Sequence, residues 1–349
     1  MTTTLGWAAP HQGAPLEPWT FDRRDLRDDD VSVRIDYCGI CSSDLSAVAR
    51  GADFPLVPGH EMTGVVTAVG PGVTDFAPGD SVAIGNIVDS CGTCAPCRAG
   101  RENWCARFPT LTYGGRDRHD ETLTQGGFSR DYVVARTFLH HLPEGLDPAG
   151  AAPLMCAGVT TYVPLRRWGA GPGRAVGIVG MGGLGHIALK LSHAMGATTV
   201  QFTRSATKAA EARALGADDV VVTSDPDAMA EQSGRFDLIL DTVGAPHSVE
   251  PYVEALAMDG TLVVLGIPEE DITVSPMSLI VGAKTIAGAG SGGTAETRDM
   301  LDFCARHRIT ADIETVRPDR INEAMDRLRR NDVRYRFVVD LSATPPRTP

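Results

Sequence analysis

Ala175–His186 reads AVGIVGMGGLGH. Ala175–Val179 is a short, wholly apolar run with β-branched residues, which suits a strand buried on both faces. Gly180-Met181-Gly182-Gly183-Leu184-Gly185 follows it, and apolar residues then recur at helical spacing from Gly185 to Met195, where Gly196 stops them. A G-x-G-x-x-G pattern alone is weak, and a glycine-rich packing turn is its bland explanation. Set between a strand and a helix it is a dinucleotide-binding fingerprint. The glycines let the backbone close on a pyrophosphate, and the helix N-terminus presents free N–H groups to it. Gly180, Gly182, Gly183, Leu184 and Gly185 are therefore cofactor-binding candidates.

Downstream, strand and helix patterns alternate. Strands are expected at Thr199–Thr203, Asp219–Thr223, Phe236–Val243 and Thr261–Leu265, with helices at Ala206–Leu215 and Ser248–Met258. Such alternation implies a parallel sheet covered on both faces. The end of the second strand decides which dinucleotide is bound. A carboxylate there would take the ribose hydroxyls of NAD and repel a 2′-phosphate. This chain instead has Thr203-Arg204-Ser205, with Lys208 one turn later, which favours NADP(H) through two cations and two hydroxyls.

Upstream, the texture is β-rich. Val31–Tyr37 alternates apolar and polar residues, and Gly64–Val69, Ser81–Ile84 and Tyr132–Ala135 are further short strands between Gly/Pro turns, as in a barrel-like domain. Within this region Cys91–Cys105, CGTCAPCRAGRENWC, places Cys91, Cys94, Cys97 and Cys105 so that four thiolates can converge on one tetrahedral ion. Its Gly and Pro residues suit tight loops. A disulfide cluster would need an oxidising compartment, of which the N-terminus gives no sign. A closed Cys₄ site leaves no position for substrate, so this zinc is structural. Helices at Thr294–His307 and Pro318–Arg329 and a strand at Arg334–Asp340 follow the sheet region, and the tail from Ser342 reads as disordered.

The bulk composition excludes some classes of function. The 349 residues suffice for two domains. A net charge of −12 argues against a nucleic-acid or anionic-membrane partner. Val176–Leu191 is apolar but interrupted by glycines, His186 and Lys190, so no membrane span is expected. Eight cysteines with no recognisable signal peptide suit a reducing, cytoplasmic setting in which thiols bind metal.

Cys41 in YCGICSSDL, His60-Glu61 in VPGHEMTG and Cys156 in APLMCAGVTTY are candidates for a second metal set, one with an open position. Their separation in sequence makes spacing a weak argument, and Cys38–Cys41 also reads as a redox pair. Taken together, YCGICSSD, VPGHEMTG, the four-cysteine lobe, QGGFS (Gln125–Ser129), APLMCAGVTTY, GIVGMGGLGH and ITADIE (Ile309–Glu314) resemble the zinc-dependent medium-chain dehydrogenase/reductase family, cinnamyl-alcohol-dehydrogenase branch, over nearly the whole chain.

The resemblance implies an α/β fold: a doubly wound Rossmann domain plus a β-rich, GroES-like, partly open barrel. Residues 1–153 would form the catalytic domain, with the zinc lobe at about 88–108. Residues 154–290 would be the inserted NADP-binding domain, and residues 291–349 would return to the catalytic domain. Cys41, His60 and Cys156 would hold a catalytic zinc, with Glu61 as alternate ligand and Asp44 orienting His60. Ser43 would contact the reacting oxygen, and Thr160 would lie near the nicotinamide. The implied activity is NADP(H)-dependent alcohol dehydrogenation or aldehyde reduction, with hydride passing between nicotinamide and a carbonyl or alcohol held at zinc. Small aldehydes, alcohols or imines would be substrates. The assembly would be a homodimer or tetramer joined through Leu279–Gly288.

Ser42 and Ser46 stand where the branch commonly has histidine. Serine does not titrate near neutral pH, so a proton relay would end without an imidazole. This keeps open an imine or conjugated C=C reductase on the same scaffold. A dinucleotide-binding module without catalysis is a more remote alternative, because all four open-set residues are present.

Overall fold

The computed structural model describes residues 2–344. Two compact units emerge: Met1–Cys156 together with Gly292–Pro349, and Ala157–Ser291.

In the first unit a seven-stranded sheet runs in the order Ile313–Val316, Arg336–Asp340, Asp30–Ile40, Met62–Val69, Ser81–Ile84, Leu139–His141, with Asp131–Ala135 also paired to Asp30–Ile40. Alternation puts Val31, Val33 and Ile35 into the core, packed with Met62, Val66, Phe128 and Phe337. The strand extends beyond the expected Tyr37. Its register against Met62–Val69 shifts between Ile35 and Tyr37, and after that bulge Cys38 and Ile40 face inward while Tyr37 is half-buried. Two pairings then fix the chemistry of this sheet end. Cys38 lies opposite Met62, and Ile40 lies opposite Phe337. Cys41, the pair His60-Glu61, and Arg336 are thereby delivered to one place by three neighbouring strands.

Two features of this unit have no clear sequence signal. Thr2–Ala8 pairs antiparallel with Glu17–Arg23. Ser42–Arg50 is a helix whose N-cap is Cys41. The cysteine-rich segment, expected as loop, contains a short helix at Ala95–Arg98 and a 3₁₀ turn at Glu102–Trp104. Of the tail expected to be disordered, residues 342–344 are tied down: Thr344 N–H donates to the Leu341 carbonyl, and the Thr344 carbonyl accepts from Arg130. Residues 345–349 lie outside the described residues.

The second unit is a six-stranded sheet in the order Asp219–Val222, Thr198–Thr203, Ala175–Val179, Phe236–Asp241, Leu256–Val264, Thr285–Gly288, parallel throughout. Strand order reverses between Ala175–Val179 and Phe236–Asp241, the switch point beside which such sheets bind ligands. Phe202, Phe236 and Tyr252 pack together on its core. The helix expected over Ser248–Met258 is shorter, Glu250–Ala255, and Leu256 already pairs with Phe236. Val249, Tyr252, Val253 and Leu256 have helical spacing, but buried Leu256 satisfies that spacing equally well from a strand. Among the described residues no helix is long and apolar enough to cross a membrane.

Candidate active site

Cys41, His60, Glu61 and Cys156 each offer a ligand atom, and the four atoms lie within 4.8 Å of one another. Asp44 organises the set. It is fully buried on the first turn of the Ser42–Arg50 helix. One carboxylate oxygen accepts from the Cys41 N–H at 2.7 Å, and the other from the Gly59 N–H at 3.1 Å. The latter also meets His60 Nδ1 at 3.2 Å. Asp44 thus ties both ligand loops together and engages Nδ1, leaving His60 Nε2 for the donor cluster.

The thiols are strongly coupled. A hydrogen bond from Cys156 holds Cys41 well below the ordinary thiol range, while the same contact and burial push Cys156 well above it. Burial disfavours the His60 imidazolium, but Asp44 and Cys41 outweigh it and raise the group.

Glu61 is the half-committed member. Arg336 Nη2 donates to its Oε1 deep in the fold, both side chains being almost wholly buried. Burial pushes Glu61 up to about 7 against the opposing pull of Arg336. Its other oxygen, Oε2, is buried without a hydrogen-bond partner. A Cβ on Gly39 would collide with that oxygen, so the glycine makes the room. Two sulfurs, an imidazole nitrogen and a carboxylate oxygen of Glu61 converge, a donor set that fits a zinc ion.

Ser43 Oγ lies 3.5 Å from His60 Nε2, at the edge of the cluster. Tyr113, not singled out from sequence, sits beside it: its ring centroid is 5.7 Å from that of His60. Burial, with Asp44 and Cys41 nearby, raises its hydroxyl well above the usual phenol range. A tyrosine in a glycine-rich loop carries no motif that would have flagged it. Ser42 and Ser46 are exposed on the helix.

The second cluster is Cys91, Cys94, Cys97 and Cys105, again within 4.8 Å. The Cys94–Cys97 and Cys91–Cys97 sulfur separations are 3.3 and 3.9 Å. A zinc tetrahedron with bonds of ~2.3 Å has edges of about 3.8 Å, whereas a disulfide bond is about 2.05 Å. Backbone N–H groups of Cys94, Cys91 and Ala106 point at sulfurs Cys91, Cys105 and Cys94, each at 3.4 Å. Donation from the backbone of Thr93 and Cys94 brings Cys91 down to about 5, the thiolate that a metal requires.

In the Ala157–Ser291 unit Gly180 ends the first strand at φ 88, where a side chain would be strained and would meet Val243 and Thr242. A Cβ on Gly185 would strike the Gly180 carbonyl, while Gly182 faces open space. Gly183 and Leu184 complete the turn ahead of the Gly185–Ala194 helix. Thr203 ends the second strand, and its hydroxyl accepts from the Ser205 N–H at 3.4 Å. Arg204 is exposed and Lys208 half-buried, and among the described residues neither forms an ion pair with a carboxylate. Thr160 lies on the Ala157–Arg167 helix and accepts from the Ser291 N–H at 3.2 Å.

A doubly wound parallel sheet with a glycine turn, a β-rich unit with a Cys/His/Glu donor set, and a Cys₄ lobe together point to a zinc-binding dehydrogenase. Comparison with known proteins agrees. Residues 27–144 match the alcohol dehydrogenase GroES-like domain and residues 183–306 match the zinc-binding dehydrogenase family. The aldehyde reductase YahK of Escherichia coli is 48% identical over 334 residues, 93% of this chain and 95% of that protein. The structure of cinnamyl alcohol dehydrogenase SbCAD4 from Sorghum bicolor superposes with a TM-score of 0.95 at 43% identity, covering 100% of both chains. That of CAD from Helicobacter pylori complexed with NADP(H) gives 0.91 at 31%, covering 98% and 99%. The chain belongs to the zinc-dependent medium-chain dehydrogenase/reductase family, in its cinnamyl-alcohol-dehydrogenase-like branch, a family of alcohol and aldehyde oxidoreductases.

Proposed function

We propose that the protein is an NADP(H)-dependent zinc alcohol dehydrogenase acting as an aldehyde reductase. The carrying observation is the donor set itself: Cys41, His60 and Cys156 converge with Glu61, a carboxylate that Arg336 already holds. With Glu61 engaged by Arg336, two thiolates and one imidazole hold the ion and the fourth position takes substrate, whereas the all-cysteine lobe has no such position. A zinc ion supplies Lewis acidity to a carbonyl or alcohol oxygen, and NADPH supplies the hydride.

The chain's own residues do the rest. Asp44 keeps His60 in one orientation. Ser43, within reach of the same cluster, hands a proton to or from the substrate oxygen. Residues 154–290 bind the nucleotide: Gly180, Gly182, Gly183, Leu184 and Gly185 admit the pyrophosphate, and Thr160 flanks the nicotinamide. Thr203, Arg204, Ser205 and Lys208 take the 2′-phosphate. The unpaired cations support that choice, as does the NADP(H) bound by the Helicobacter protein. The candidate metal ligands all lie between Cys41 and Cys156, and Arg336 in the C-terminal return braces Glu61.

A homodimer joined through the Thr285–Gly288 edge strand would cover the exposed Met258, Ile267, Met277, Ile280 and Val281. A second reading, reduction of imines or conjugated C=C bonds, is favoured by exposed Ser46 where a titratable relay group would stand. A panel of aldehydes, alcohols and cyclic imines with NADPH and NADH, read by nicotinamide absorbance, tests both. Turnover with no aldehyde or alcohol, or a preference for NADH, overturns the primary reading.

A further inference from the structure

We infer that Arg23, remote in sequence from every ligand, is a positioning residue that sets the metal affinity of the Cys41–His60–Cys156 site. Arg23 ends the Glu17–Arg23 strand and is buried. Its four hydrogen bonds go to neutral oxygens: Nε to the Asp131 carbonyl at 2.9 Å, Nη1 to the Gln125 carbonyl at 2.6 Å, and Nη2 to the Gly126 carbonyl at 2.8 Å and Ser129 Oγ at 2.7 Å. The guanidinium also stacks on Phe21 and Tyr132, with centroid distances of 4.8 and 4.4 Å. A buried cation hydrogen-bonded to carbonyls rather than to an acid fixes where those carbonyls sit, because its fork is rigid and planar.

The clamped segment, Gln125–Ser129, is bonded residue by residue to the loop that carries His60. Gly126 N–H donates to the Val57 carbonyl at 2.7 Å, Phe128 N–H to the Pro58 carbonyl at 2.9 Å, and Gly127 N–H to the Gly59 carbonyl at 2.8 Å. Gln125 Oε1 accepts from the Val57 N–H at 2.7 Å, and its Nε2 donates to the Pro55 carbonyl at 3.0 Å. The fit is tight: a Cβ on Gly126 would strike the Pro58 carbonyl, and one on Gly127 would strike Met62. The His60 loop is therefore held from one side by Asp44 and from the other by a strap that Arg23 fixes in place.

This rests on the metal-binding reading of the open set, and one experiment separates the two. Zinc- and cobalt-loaded wild-type enzyme, Arg23→Met and Arg23→Lys are titrated with a chelator, with metal content and cobalt–thiolate absorption resolving the open set from the Cys₄ lobe. Partners outside the first ligand shell change metal affinity by about 10–100-fold; for Arg23→Met a loss of about tenfold is expected at the open set, with the lobe unchanged. Arg23→Lys, which keeps the charge but not the fork, loses affinity there too. Gln125→Ala, which cuts the same strap farther from the core, repeats the effect should Arg23→Met fail to fold. Wild-type affinity retained in the variants, or equal loss from both sites, overturns the positioning role. A wild-type chain holding no metal at the open set overturns the metal-binding reading itself.

Discussion

The Cys91–Cys105 lobe and the Cys41–His60–Cys156 set are both built around thiolates, yet they are assembled in opposite ways. The lobe draws all its ligands from fifteen consecutive residues and braces its sulfurs with its own backbone N–H groups. The open set draws its ligands from separate strands and loops, and buried side chains rather than local turns hold it. Local assembly yields a closed, self-sufficient staple. Assembly from distant segments makes the second set depend on much of the surrounding fold.

The contrast breaks if the two sites respond alike to substitution. The largest effect is expected from His60→Ala, which should cut aldehyde reduction by at least about a thousandfold, since a Lewis-acidic metal supplies several kcal/mol of charge stabilisation. Metal analysis should find the lobe ion alone. Cys97→Ser should do the converse. Because a structural zinc contributes folding free energy directly, the variant should lose several kcal/mol in denaturant unfolding, while molecules still folded turn over.

Asp44→Asn sharpens the comparison. It leaves Cys41, Gly59 and His60 with one carboxylate oxygen fewer, so affinity at the open set should fall by about 10–100-fold in a chelator titration, with the lobe unmoved. Glu102→Gln should give the smallest effect. Glu102 lies between two lobe cysteines, and its oxygens accept from the Thr294 N–H at 2.8 Å and hydroxyl at 3.1 Å, capping the Thr294–His307 helix. Losing that charge at a helix N-terminus should cost about 1 kcal/mol, a few degrees of thermal midpoint, with both metals retained.

The same contrast explains what the sequence could disclose. The lobe, the glycine turn and the Thr203–Ser205 corner are contiguous, so spacing and residue type were enough to single them out as candidates. Cys41, His60 and Cys156 were recognisable only through resemblance to a family, because the pairing of Cys38 with Met62 and of Ile40 with Phe337 is a product of register. Arg336 and Glu61 are 275 positions apart, and no periodicity links them. Tyr113 packs against His60 from a loop without a motif. The Ser42–Arg50 helix went unread because Leu45 and Val48 alone make too short an apolar stripe, and Leu256 served a helical and an extended pattern equally well.

The counterion of Glu61 belongs to one of the last strands of the fold. During synthesis on the ribosome, Cys41, His60 and Glu61 emerge long before Arg336 exists, with the whole of Ala157–Ser291 translated in the interval. Until the C-terminal strand docks, Glu61 has no guanidinium to balance it, and a chain ending a few residues before Arg336 would carry every candidate ligand while lacking that counterion.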